Sequence, residues 1–543
     1  MPVVLRRSVD VTPDLAHDRW CSVPGAIATF CDRPNRPRLA EFATRLEAAF
    51  EDIRDHWWEL ARAIAKTPSA ELAHMPTAGT YASDFGVMLA WVQLTQELAD
   101  EEERTLLVCD DPWLFRLLAG FEGVNCGTPP PLWSKIIKLR IRGVLARIRV
   151  AVRVTGEMLT ARRIGLSGSA NAPTLIVYGH PDSRSDGYDA YFGTLMRDIP
   201  GLQRMMHTDC PAARATQLAA DGRTSSLHAW GKFKWILPLL WTRWRPAAAD
   251  IAGPEGLLVA RAAEIEGSGG SAAMTRWQIN CQCAWLEQSK PGCISWPWEN
   301  HPWERAVVRA AKQQGIRTVG FQHTVVGPHM FGQSPSANTD GLDSIPDQII
   351  CNGPVYRDNL AEWGIPDQRL TIGGNLRLAE HDGFTYDPDG PIFVALPGHQ
   401  EFSTEMMEAI YPLGQEGHRF LFKVHPMYDF AFHETDTISR TYGTLEELPG
   451  VSAVIYCLGT IGLEALLRGM PTLRFRPWGT IAMNTLPPNL SARAVDGETL
   501  ATALGSLHKP RVPASGAVLS AFDVSVWNRA FGGVNAPCNK PLQ

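Results

Sequence analysis

Three short segments in the last third of the chain carry residue types that could grip a phosphate. In YCLGTIGLEALLRGMPTL (456–473) an apolar strand runs into Gly459-Thr460, and a helix then begins. Free N–H groups at a helix start attract an anion, and small residues let the backbone approach it. Thr460 adds a hydroxyl. Glu464, one turn along the same face, is placed to accept hydrogen bonds from ribose hydroxyls. KVHP (423–426) ends a strand with His425, whose imidazole can donate to a phosphate oxygen. Lys423 adds positive charge there, and Pro426 turns the chain out of regular structure. LPGHQEFSTE (396–405) reads as a strand, a glycine loop at Gly398 and a helix capped by Ser403 or Thr404, with His399 in the loop.

Proton chemistry has candidates further upstream. WPWENHPWERA (296–306) sets Glu299, Asn300, His301 and Glu304 between a strand and a helix, and FQHT (321–324) ends the next strand with Gln322 and His323. If those strands are neighbours, Glu299 and His323 face one cleft, where a carboxylate or imidazole could take a hydroxyl proton. The plainer role for Glu299 is to complement a helix N-terminus. SRSDGYDAYFG (183–193) offers Asp186 as a rival base, ranked beside Glu299; Asp110 and Asp111 come third, as turn residues. No D-x-D segment sits in a plausible loop. Donor charge is therefore expected to be met by His425, Lys423 and helix dipoles, without a metal or other cofactor. Cys281, Cys283 and Cys293 cluster, but C-x-C-x9-C lacks a fourth ligand, so shielded thiols are expected.

Apolar runs that stop at loops position these residues: TLLVCDD (105–111), TLIVYGH (174–180), GCISWPWE (292–299), IRTVGFQH (316–323) and DQIICNG (347–353). Helical patterns lie among them, at 39–66, 84–104 and 303–315. The alternation restarts with PIFVALPG (391–398), RFLFKVHP (419–426), VSAVIYC (451–457), a helix at about 460–468, and PTLRF (471–475). Strands alternating with helices imply parallel sheets of βαβ units. The expectation is an α/β chain with two Rossmann-like, doubly wound domains facing across a cleft. They span 1–380, with helical insertions, and 381–505, with a tail at 506–543. In such sheets ligands sit outside the carboxyl ends of the strands, where the candidate residues lie.

At 543 residues the chain is long enough for two cores, and 45% hydrophobic with 20% charged residues is ordinary globular composition. A net charge of −6 argues against a nucleic-acid partner. The average hides a basic, apolar segment, LWSKIIKLRIRGVLARIRVAVRVTGEMLTARRI (132–164), with Glu157 its one acid, and a second, GKFKWILPLLWTRWRP (231–246). Basic amphipathic segments with tryptophan read as lying on an anionic membrane surface. The alternative is a helix with a solvated basic face, and the alternation around 148–154 also fits a strand. No run is long enough for a signal peptide's apolar core or for a bilayer span, and the scattered cysteines fit a reducing cytosol. A cytoplasmic chain, peripheral at the inner face of the membrane, is expected.

The stretch 293–475 resembles bacterial surface-carbohydrate glycosyltransferases of the GT-B type, nearest to capsule Kdo transferases and bacterial sialyltransferases. GIRTVGFQHTVV (315–326) is similar to their x-x-G-x-Q-H-G segment, and QIICNGPVYRDNLAEWGIPDQRLTIGGNLR (348–377) to the connector leaving their first domain. KVHP resembles their His-Pro motif, and LGTIGLEALLRGMP their donor segment. The resemblance implies that His425 and Thr460 hold the nucleotide's phosphate, with Glu464 a weaker transfer. The family's paired serines are replaced by Cys457 and Leu458. Asp186-Gly187 partly resembles the acidic motif of bacterial polysialyltransferases. The implied activity is transfer of Kdo or another CMP-activated ulosonic acid from a nucleotide donor to a surface polysaccharide or lipid-linked glycan. The alternatives are a CDP-polyol phosphotransferase and a UDP-sugar 2-epimerase. Whether transfer inverts or retains stereochemistry stays open.

Overall fold

The computed structural model describes residues 1–12, 15–24, 36–74, 83–165, 171–376, 386–425, 428–448 and 450–532. Three sheets organise it, and every ladder within them is parallel. The first holds β1 (Val3–Arg6), β2 (Arg19–Ser22), β3 (Thr105–Val108) and β4 (Val124–Cys126), in the order β2-β3-β1-β4. The second holds β5 (Thr174–Val177), β6 (Gln203–Met206), β7 (Thr224–Ser226), β8 (Cys293–Pro297), β9 (Arg317–Gln322), β10 (Gln348–Cys351) and β11 (Leu370–Ile372). The third holds β12 (Ile392–Ala395), β13 (Phe420–Lys423), β14 (Ile438–Arg440), β15 (Ala453–Tyr456), β16 (Thr472–Phe475) and β17 (Arg493–Val495).

The order β11-β10-β9-β8-β5-β6-β7 reverses direction between β5 and β8, and β14-β13-β12-β15-β16-β17 reverses between β12 and β15. Both are doubly wound sheets, so the α/β class implied by the sequence is observed. At each reversal the connections leave on opposite faces, and a crevice opens at the carboxyl edge. β5, β8, β15 and β16 are buried along their whole length, which is why they read as unbroken apolar runs. The run at 105–108 is also a parallel strand, but it belongs to the separate four-stranded sheet.

The sheets are locked together by polar and apolar contacts. Glu47, on the helix Phe42–Asp52, accepts from Arg474 of β16 and, at 3.1 Å, from Arg476. Trp91 Nε1 donates to Gly479 O at 3.0 Å. His329, in the loop after β9, accepts at Nδ1 from Asn484 N at 2.9 Å. One core cluster joins Trp296 and Val307 around the seven-stranded sheet to Leu463 and Leu466 beneath the six-stranded one.

Several expectations shift. The helix foreseen over 39–66 is two, Phe42–Asp52 and Arg54–Ile64, broken at Ile53. The alternating stretch 148–154 lies within a continuous 33-residue helix, Leu132–Ile164. The segment 506–543 holds a further helix, Val524–Ala530, whose Trp527 is fully buried with its ring 5.0 Å from Phe321. The C-terminal segment therefore returns to pack on the seven-stranded sheet.

The long helix buries Val154, Met158 and Ala161 but leaves Trp133, Ile141 and Val152 at 73%, 59% and 69% exposure. Beside it, Leu237 and Trp241 are 62% and 63% exposed. Arg147 Nε ties the two segments by donating to Leu240 O at 2.9 Å. Among the described residues no helix is long and apolar enough to cross a membrane.

Candidate functional site

The crevice of the seven-stranded sheet lies between the loops after β5 and β8, and the sequence folds the second of these rigidly. Pro302 opens the helix Pro302–Gln313, and Asn300 sits in the left-handed region at φ +60. A non-glycine residue holds that conformation only under outside constraint. The constraint is visible. Asn300 is buried and its Nδ2 donates to Gly332 O at 2.7 Å, while the Glu304 carboxylate accepts from the backbone N–H groups of Glu299 and Asn300, both at 3.0 Å, and from Trp296 Nε1 at 2.9 Å. Burial pushes the Glu304 carboxyl up to about 7.

The loop so fixed presents Glu299 between two imidazoles. His301 Nε2 donates to Glu299 Oε2 at 2.7 Å, and His323 Nε2 lies 3.7 Å from Oε1. β8 and β9 are neighbours, which brings Glu299 and His323 together as the sequence suggested. Burial alone would lower the basicity of His301. The hydrogen bond and charge of Glu299, with Glu304 behind it, outweigh that and raise it to about 9. The group at rest is thus a carboxylate–imidazolium pair.

From His323 a chain of rings leads towards the other sheet. Tyr191 meets His323 edge-on at 5.3 Å and His180, beyond β5, at 5.9 Å. Asp189, fully buried, fixes this loop by accepting from the Tyr191 and Phe192 N–H groups. His180 in turn lies close enough to His425, beyond β13, for its charge to lower the His425 pKa, after the larger effect of burial. His180 follows β5 and His425 follows β13, so loops at the carboxyl ends of both sheets come near each other here.

On the six-stranded side, the loops after β12, β13 and β15 share one edge because those strands are adjacent and parallel. Gly459 has φ +105, and a Cβ there would meet open space, so the turn, not crowding, requires glycine. Gly398 is the opposite case: a Cβ would lie 2.5 Å from the Tyr428 ring. Tyr428 also lies 5.2 Å from the His425 ring. Gly398, His399, Tyr428, Trp478 and Glu405 line a cavity of about 1460 Å3 at this edge. His399, Glu401 and Phe402 continue from it into a second cavity of about 630 Å3 that reaches His74 and Ser271.

The remaining candidates are placed less favourably for contact with a ligand. Thr460 Oγ1 donates to Glu464 Oε1 at 3.0 Å, so those two side chains engage each other. Lys423 is half-buried at the last position of β13, and Pro426 of the His-Pro motif lies outside the described residues. Ser403 does not cap its helix. The helix starts at Gln400 with His399 as N-cap, and the Ser403 hydroxyl is buried and donates to Pro397 O at 3.0 Å. Asp186 lies on an exposed turn, paired with Arg197 and 3.6 Å from Arg184; the Arg197 hydrogen bond lowers it to about 2. So weak a base, bound elsewhere, is not part of the Glu299 cluster. Asp110 accepts from Ser8, and Asp111 caps the helix Pro112–Leu118 while pairing with Arg261. Both are structural. Sequence reasoning missed His180, Tyr191 and Asp189.

No protein-family model matches the chain, and no curated protein matches it in sequence. Among solved structures it has distant likenesses. One is the UDP-GlcNAc 2-epimerase of Methanocaldococcus jannaschii solved with UDP-GlcNAc and UDP, at 12% identity and TM-score 0.39, over 66% of this chain and 99% of that one. Others are the glycotransferase of kitacinnamycin, at 14% and 0.39 over 66% and 95%, and the glycosyltransferase SnogD from Streptomyces nogalater, at 12% and 0.35 over 67% and 95%. Likenesses this remote do not bear on activity.

Proposed function

We propose that this chain is a GT-B-type glycosyltransferase that takes a sugar from a nucleotide donor and passes it to a glycan at an anionic membrane surface. What supports the reading is that both sheets are doubly wound and share one core cluster, and that His180, whose charge is felt at His425, is linked through Tyr191 to His323 beside Glu299. Neither His425 nor the Gly459–Thr460 turn lines the cavity beside Gly398 and Tyr428. A bound nucleotide's ribose would lie in that cavity, its phosphate reaching past Tyr428 to His425, 5.2 Å away ring to ring, and on to the Gly459–Thr460 turn. Glu299, oriented by His301, would take the proton of the acceptor hydroxyl as its oxygen bonds to the anomeric carbon. The bond from that carbon to the phosphate oxygen breaks, and the phosphate leaves with the electron pair. His301, held as a cation, keeps Glu299 ionised until that moment.

KVHP tilts the donor towards a CMP-linked ulosonic acid such as Kdo. The exposed apolar ridge of Leu132–Ile164, set among nine basic residues and one acid, supports docking on the cytoplasmic leaflet. That feature favours a transferase over a soluble epimerase. Thermal-shift titration of CMP, CDP, UDP and GDP tests the donor. At 100 times its dissociation constant a ligand adds about 2.7 kcal/mol of stability. CMP should raise the melting temperature and His425→Ala should abolish the rise. A response to UDP alone would overturn the CMP assignment.

A further inference from the structure

Behind Glu299 the same loop backs onto a cavity of about 180 Å3, with room for on the order of six water molecules. His207, Gln278, His301, Tyr178 and Asp209 form much of its wall. Among the nitrogens of its wall, Gln278 Nε2, His207 Nε2 and His301 Nδ1 are buried with no hydrogen-bond partner among the described residues. Gln278 and His207 are 1% and 4% exposed.

Each nitrogen carries hydrogen, and the partners of the other end of each side chain say so. Gln278 Oε1 accepts from Thr208 N at 2.9 Å, which leaves its amide NH2 for the cavity. His207 Nδ1 faces both the Asp209 N–H at 3.1 Å and the Asp209 carboxylate at 3.3 Å. With the Asp209 N–H donating to Nδ1, the ring hydrogen sits on Nε2, which faces the cavity. His301 Nε2 donates to Glu299, and the same carboxylate keeps the ring protonated, so Nδ1 is an N–H as well. The one carboxylate in the wall, Asp209, is 58% exposed at its side chain and turned towards the far nitrogen of His207. Buried donors left without acceptors are costly, so three of them in the wall of one cavity call for an acceptor from outside.

We propose that this cavity is an oxyanion site, taking the carboxylate or phosphate group of a sugar-like ligand. Such a group accepts from all three donors at once, and charge-assisted bonds of this kind are the strong ones. Access runs through the 630 Å3 cavity, with which it shares His74 and Ser271. The inference does not depend on the nucleotide reading; if both hold, the acceptor carries the acidic group.

The test is titration of the full chain with methyl glucuronide, inorganic phosphate and methyl glucoside. It is followed by calorimetry and by the imidazole nitrogen signals of His207 and His301. One or both anions should bind and move both signals, and the neutral glucoside should do neither. Glucuronide alone would mark a sugar carboxylate as the ligand, and phosphate alone a phosphoryl group. Gln278→Glu keeps an acceptor for Thr208 N–H but replaces the amide donor with an anion, and should weaken binding at least ten-fold. Failure of both anions to move the two signals in the unmodified protein would overturn the proposal. Glucoside binding equal to that of the anions, or undiminished affinity in a folded Gln278→Glu variant, would do the same. CMP binding is read separately and can fail or succeed without affecting this result.

Discussion

Replacing Glu299 by glutamine removes one charge and preserves the shape of the loop, because the backbone there is held by Glu304 and not by the Glu299 side chain. Glu299 keeps His301 protonated up to about pH 9, against an ordinary value of 6.5. That net difference of roughly 2.5 units corresponds to about 3 kcal/mol, and because burial opposes it the favourable effect of Glu299 and Glu304 together is larger. A raised folded-state pKa stabilises fully below the unfolded value and ceases to do so as pH rises through the folded one. The variant should therefore be less stable than the parent by about 3 kcal/mol at pH 6, with the gap closing by pH 10. Histidine nitrogen NMR, with denaturant melts at both pH values, reads both effects. The His301 midpoint should fall to near 7 or below. A midpoint still above 8.5, or a stability gap that does not change with pH, would refute the carboxylate–imidazolium pair and with it the assignment of Glu299 as base. Once a substrate pair is in hand, the same variant should lose about 100- to 10,000-fold in turnover.

Other consequences are simpler to check. His228 is fully buried, donates from Nε2 to Thr208 O and accepts at Nδ1 from Trp277, and burial lowers it to about 4. It should stay neutral by NMR to about that pH, and stability should fall by roughly 3 kcal/mol as pH drops from 6.5 to 4. Ile141→Glu with Val152→Glu should abolish sedimentation with anionic vesicles while changing stability by less than about 1 kcal/mol, since both sites are more than half exposed. Binding by the parent chain should weaken as salt rises. Trp527→Ala should cost about 3–5 kcal/mol in a chemical melt, because the ring is fully buried against the seven-stranded sheet.

Much of this arrangement is legible in the residues. An apolar run of strand length buried on both faces announces itself, which is why β3, β5, β8, β9, β10, β12, β13, β15 and β16 can be read directly. Two of the strands that escape notice in the seven-stranded sheet carry polar side chains. β6 is Gln203–Met206, with Arg204 wholly buried among backbone carbonyls, and β7 is Thr224–Ser226. Tertiary pairing, not local pattern, makes them strands. Glu299 and His323 could be paired from their strand ends alone. Asp186 looked equally suitable because sequence does not reveal that Arg197 and Arg184 neutralise it. A signal was present for His180: five histidines, at 180, 301, 323, 399 and 425, each follow an apolar run within a few residues. Such a recurrence at the carboxyl ends of parallel strands marks one edge of a molecule.

The decisive question is whether a nucleotide occupies the gap between the two doubly wound sheets. A crystal structure of the chain grown with CMP decides it. Phosphate oxygens within hydrogen-bonding distance of the His425 imidazole and the Gly459–Thr460 amides, with the ribose beside Gly398 and Tyr428, are the expected result. A nucleotide bound at another surface, with that edge left empty, would contradict it.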